Sequence, residues 1–126
     1  MQYLVDTNIA SAYFRREKMI VQRMTEIDYF VSFVVIGELY RWAFISNRKA
    51  ERLAGIRNFA RLSTVLTINE STSERFGIIA ADLEQRGIPI PINDIWIAAQ
   101  AIQYDLVLAT REQHFQHVSD LKLEMW

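Results

Sequence analysis

The chain's 126 residues make one ordinary domain, long enough to bury roughly two-thirds of the surface that the unfolded chain exposes. Hydrophobic residues make up 51% of it and cysteine is absent, which excludes disulfides and thiolate metal sites and fits a cytoplasmic protein. A formal net charge of −1 neither demands nor excludes a nucleic-acid partner, because binding depends on where charge lies. The opening Met1-Gln2-Tyr3 lacks the basic segment and apolar run of a signal peptide, and no stretch approaches the ~20 apolar residues that span a bilayer. No membrane partner is expected.

In chain order, the run Gln2–Val5 predicts a strand, and Asn8 opens a helix after it. A second strand is predicted over Tyr29–Val34. Ile36, Leu39, Tyr40, Ala43 and Phe44 then follow the i, i+3, i+4, i+7, i+8 spacing of a helical stripe. Leu53, Ile56, Asn58, Phe59 and Ala60 suggest another helix, and Thr64–Thr67 a short strand. From Ser71 to Arg86, Phe76, Ile79, Ala80 and Leu83 form a helical face, with Gly87 as the residue that stops it. Ile95–Tyr104 is a further helix, with strands after it at Leu106–Ala109 and Leu121–Met125. No linker or repeat interrupts the pattern, so residues 1–126 read as one domain. Strands alternating with helices predict right-handed crossovers: an α/β fold with a mainly parallel central sheet flanked by helices on both faces.

Ligands of such folds bind beyond the carboxyl ends of the strands. Four acids are predicted there: Asp6 after the first strand, Glu38 near the start of the helix after the second, Asp94 opening a late helix, and Glu112 just past Leu106–Ala109. Each has a plain structural alternative. Asp6 and Asp94 suit helix starts, Glu38 suits a first turn, and Glu112 suits the surface. Glu38 is set among Val34, Val35, Ile36 and Leu39, so its carboxylate needs a partner to offset desolvation. At an effective dielectric near 20, two like charges ~5 Å apart cost roughly 3 kcal/mol. A divalent cation reverses that sign, and all-oxygen ligands select Mg²⁺ or Mn²⁺. Such a site supports hydrolysis of phosphodiesters.

The ordered set of motifs resembles the PIN-domain ribonucleases, specifically the VapC-type toxins of toxin–antitoxin pairs. The pieces are Leu4-Val5-Asp6-Thr7-Asn8, Gly37-Glu38-Leu39, Asn93-Asp94-Ile95-Trp96-Ile97-Ala98-Ala99 and Leu108-Ala109-Thr110-Arg111-Glu112-Gln113-His114-Phe115. The resemblance implies a Mg²⁺- or Mn²⁺-dependent endoribonuclease that cuts RNA and arrests growth, a VapB-type antitoxin that inserts a segment near the site, and a toxin homodimer. By carry-over Asp6, Glu38 and Asp94 hold the metal, Glu112 completes the catalytic acids, and Asn8 and Thr110 support them. The family more often has aspartate where this chain has Glu112; the extra methylene places the carboxylate to reach a metal through water.

Arg15, Arg41 and Arg111 are the candidate cations for RNA phosphates. The run Arg15, Arg16, Lys18 reads equally as a solvated face, whereas Arg111 adjoins Thr110 and Glu112. His114 and His117 are expected to be structural or surface residues, since metal-activated water needs no histidine base. Tyr13, Phe14, Trp42 and Phe44 belong to the core or to a protein contact. The alternative function is a catalytically weak PIN-like module that acts by RNA or protein binding.

Overall fold

The computed structural model describes residues 1–126. Its elements are β1 (Gln2–Val5), α1 (Thr7–Phe14), α2 (Lys18–Glu26), β2 (Asp28–Ser32), α3 (Phe33–Phe44), α4 (Lys49–Leu62), β3 (Thr64–Leu66), α5 (Glu70–Gln85), α6 (Ile92–Gln103), β4 (Val107–Thr110) and β5 (Leu123–Met125). A 3₁₀ turn, Gln113–His117, lies between the last two strands. The strands form one sheet in the order β3-β2-β1-β4-β5, and every pairing is parallel. The chain winds outward from β1 to β3, then returns to the other side of β1. That reversal puts helices on both faces and opens the switch-point crevice beside β1 and β4.

β1 is central because Leu4 and Val5 are fully apolar and fully buried. Leu108 and Ala109 of β4, Val31 of β2, and Ile97, Ala98 and Ala99 of α6 are buried with them. Strands covered on both faces carry continuous apolar runs of this kind. The alanines of α6 let that helix lie close to its neighbours, and its single fully buried amide, Gln100, donates Nε2–H to the carbonyl of Leu66.

Three local differences from the sequence expectation have simple causes. The second strand stops at Ser32 instead of Val34, because the Ser32 hydroxyl accepts the Val34 N–H and caps α3. Val34 and Val35 are therefore helical despite their branched side chains, and Glu38 sits in the second turn of α3. α6 begins at Ile92, three residues early, which leaves Asp94 in its first turn. α2 has no counterpart in the sequence expectation: its apolar stripe amounts to Ile20 and Met24, the two residues it buries. The end of α5 agrees with expectation. Gly87 has φ +69° and donates to Glu84, and Ile88 donates to Leu83, a Schellman closure that glycine adopts without strain.

Candidate active site

Asp6 leaves β1 at the switch point and is 3% exposed. It is also the N-cap of α1: Oδ1 accepts the Thr7 N–H at 2.7 Å. Capping and a role in the crevice are thus compatible. Its other oxygen, Oδ2, accepts the Thr110 hydroxyl at 2.6 Å from the end of β4. Thr110 Oγ1 in turn accepts the Glu112 N–H at 3.0 Å, which fixes the path of the loop after β4. Asn8 holds the same loop from the α1 side, accepting the Arg111 N–H on Oδ1 at 3.3 Å. Asn8 and Thr110 therefore order the backbone that carries the acids.

Burial drives the electrostatics. Desolvation pushes the Asp6 carboxyl up to about 6, against the lowering effect of the Thr110 and Thr7 hydrogen bonds; the charges of Asp94 and Glu38 push it further up. Glu38 is raised first by desolvation and also by Asp94, with Thr7 and Arg41 opposing. Asp94 is likewise raised by desolvation and by Glu112, with His114 opposing. Asp6, Glu38 and Asp94 thus share one field at the carboxyl edge of the sheet.

Glu112 stands apart. Its side chain is 53% exposed, and its carboxylate lies 3.6 Å from His114 Nδ1. His114, expected to be structural or at the surface, instead joins the acids. The 3₁₀ turn after β4 swings its ring inward, and Nε2 donates to Asp94 Oδ2 at 2.6 Å. Its place two residues beyond Glu112 is the signal that the sequence offers, but the sense of that turn is not written in apolar periodicity. His117 keeps to the surface, where its carbonyl accepts from Arg86.

The cations divide. Arg41 is exposed on α3 and its charge reaches Glu38. Arg111 and Arg15 both turn to Glu17: Arg111 forks onto it at 2.6 and 3.3 Å, and Arg15 donates at 3.0 Å. Arg111 also donates Nε–H to the carbonyl of Trp126 at 3.2 Å.

The pocket's donors suit a hard divalent ion. Glu38 Oε1 and the Thr7 hydroxyl are both buried and neither makes a hydrogen bond of good geometry, although the hydroxyl faces the carboxylate closely enough to lower its pKa. A buried carboxylate oxygen left unpaired carries a large desolvation cost that a cation offsets. No three Asp, Glu or His side chains close around a single point, so the acids share the carboxyl edge of the sheet without forming a finished cage.

Fold and site together define an all-parallel α/β domain with desolvated carboxylates at its switch point. The chain belongs to the PIN-domain family, which matches residues 3–121. Ribonuclease VapC1 of Haemophilus influenzae (strain R2866) is 33% identical over 132 residues, covering 100% of this chain and 98% of that protein. Ribonuclease VapC2 of Haemophilus influenzae (strain ATCC 51907 / DSM 11121 / KW20 / Rd) is 32% identical, with the same coverage. The solved structure of VapBC-1 from nontypeable Haemophilus influenzae superposes with a TM-score of 0.88 at 31% identity, covering 100% of this chain and 98% of that one. DNA-bound VapBC from Salmonella typhimurium superposes at 0.93 with 24% identity over 100% and 98%, a likeness of fold.

Proposed function

We propose that this protein is an endoribonuclease toxin of a VapBC-type toxin–antitoxin pair, with Asp6, Glu38 and Asp94 holding Mg²⁺ or Mn²⁺. The observation that carries the reading is the set of three desolvated carboxylates at the switch point, one with an unpaired buried oxygen. The match along the whole chain to Ribonuclease VapC1 supports RNA as substrate.

A divalent cation bound there supplies Lewis acidity at a phosphate oxygen and lowers the pKa of water. The protein's part is positional. Thr110 and the Thr7 N–H hold both Asp6 oxygens on fixed bearings, so that carboxylate needs no reorganisation. His114 fixes the rotation of Asp94 through Oδ2 and leaves Oδ1 free. To Glu112, the most exposed of the acids, we assign the orienting of water at the mouth of the site. Arg41 offers a cation to RNA beside Glu38.

The partner is a VapB-type antitoxin, consistent with the VapBC complexes that share this fold. A groove lined by Tyr13, Phe14, Trp42, Arg52 and Phe59 offers it an aromatic seat with a basic rim. Arg52 lies over the Trp42 ring at 4.1 Å and fixes that aromatic at the groove's edge. Phe44 and Ile45, exposed at the end of α3, are where we place contact with a second copy. No helix is long and apolar enough to cross a membrane, and we place the protein in the cytoplasm with its RNA.

Incubation with total RNA in Mg²⁺, Mn²⁺ or EDTA tests the reading, with Asp6→Asn beside the wild type. Metal-dependent cleavage that the variant loses is the expected result. Equal cleavage by both proteins overturns the site. Binding of RNA with no cleavage in any metal favours the alternative, a module acting by RNA or protein binding, to which the exposed position of Glu112 lends weight.

A further inference from the structure

We propose that Arg111 and Arg15 form a phosphate subsite for the RNA strand flanking the scissile bond, and that Glu17 occupies it as an internal stand-in for phosphate. The inference rests on the ribonuclease reading and adds to it a defined binding position outside the carboxylate pocket.

Two guanidiniums converge on one anionic group. Arg111 Nη1 and Nη2 fork onto the two Glu17 oxygens at 3.3 and 2.6 Å, and Arg15 Nη2 reaches Oε1 at 3.0 Å. A planar fork of this kind matches carboxylate and phosphate alike. The two cations hold the Glu17 carboxyl down at about 2, so it is anionic at neutral pH.

The location ties this cluster to the pocket. Arg111 comes directly after Thr110, whose hydroxyl holds Asp6, and its own N–H is held by Asn8. The guanidinium is therefore anchored one residue from the acid pocket. On the other side, Arg15, Arg16 and Lys18 line the basic groove beside Tyr13 and Phe14. The turn carrying them closes α1 in a Schellman arrangement, Arg16 donating to Tyr13 and Glu17 to Ala12. Arg16 has φ +59°, a conformation for which glycine is the usual residue. The chain thus keeps a third cation where backbone geometry alone favours no side chain.

A plain reading of Glu17 is a surface ion pair that fastens the turn. These side chains are between 36% and 58% exposed, so the pairs contribute little to stability. The two readings part once the carboxylate is neutralised. If Glu17 fastens a turn, RNA affinity stays unchanged. If it fills a phosphate position, its loss releases two cations.

The experiment is fluorescence anisotropy of a single-stranded RNA oligonucleotide over a KCl series in EDTA, where binding is read without cleavage. Glu17→Gln is expected to bind about tenfold tighter at ~50 mM salt, with a log–log salt slope steeper by about 1.4 for two cations. The gain is expected to vanish in the triple variant Glu17→Gln, Arg15→Gln, Arg111→Gln, while Arg57→Gln, exposed on α4 and outside the groove, leaves it intact in the Glu17→Gln background. Wild type that binds RNA with no gain in Glu17→Gln overturns the subsite alone. A gain that survives in the triple variant does the same. Failure of both proteins to bind RNA at the lowest salt overturns the subsite, whereas the ribonuclease reading stands or falls on the metal-dependent cleavage assay.

Discussion

Asp6 shows how one side chain meets two demands. As a cap it neutralises a helix start, and as a buried acid it stores unfavourable desolvation. Folded Asp6 keeps its proton up to about pH 6, whereas in the unfolded chain it is lost near pH 4. Its protonation therefore favours the fold fully below about pH 4, and that contribution is lost as pH rises through 6. In EDTA, Asp6→Asn is expected to be more stable than wild type at pH 7, by an amount on the order of 3 kcal/mol at most. The advantage closes below about pH 4, where both side chains are neutral. Urea midpoints across that range check it, and an advantage independent of pH removes the desolvation argument. At His114, substitution by alanine frees Asp94 Oδ2 and deprives the carboxylate of its hydrogen bond. Mn²⁺ affinity is expected to fall about tenfold, as for other partners of metal-bound carboxylates, and titration calorimetry on the RNA-free protein reads it. Affinity equal to wild type would make His114 a bystander.

At the scale of elements, the caps place the acids. Ser32 ends β2 and starts α3, and this junction sets the rotation at which Glu38 enters the pocket. Ser32→Ala leaves the Val34 N–H unpaired in a buried turn and is expected to cost about 1 kcal/mol. A lower denaturant midpoint with unchanged slope is the expected signature. Much of this is legible in the sequence. The strands that lead up to Asp6 and Thr110 can be read because buried parallel strands are continuous apolar runs. Glu38 stands out because a carboxylate among valines and leucines needs a reason. The junction itself lies two residues before its expected place, since Val34 and Val35 favour strands locally and tertiary burial overrides that preference. His114 and Glu17 are not legible as neighbours of the site: each depends on the direction of a turn. Those directions depend on which backbone groups remain to be satisfied once the strands and helices have docked.

For the whole molecule, the strand order brings acids from three distant segments to one edge, and their charges oppose the fold that gathers them. Added Mg²⁺ or Mn²⁺ is expected to raise the melting temperature of the wild type by mass action, through binding to the native state only. The shift is expected to be much smaller for Asp6→Asn and Asp94→Asn. Equal shifts in all three proteins would mean that the ion binds elsewhere.

The hydrogen bond from Thr110 to Asp6 joins residues 104 positions apart. During synthesis the amino-terminal aspartate leaves the ribosome early and waits, while its partner arrives only after every helix of the domain has been made. At ~5 to 20 residues per second that interval lasts between about five and twenty seconds. A chain that still lacks β4 cannot form this bond, and a ribosome stalled before β4 releases Asp6 without its Thr110 partner. Order of emergence therefore sets the earliest moment at which both Asp6 oxygens can be held.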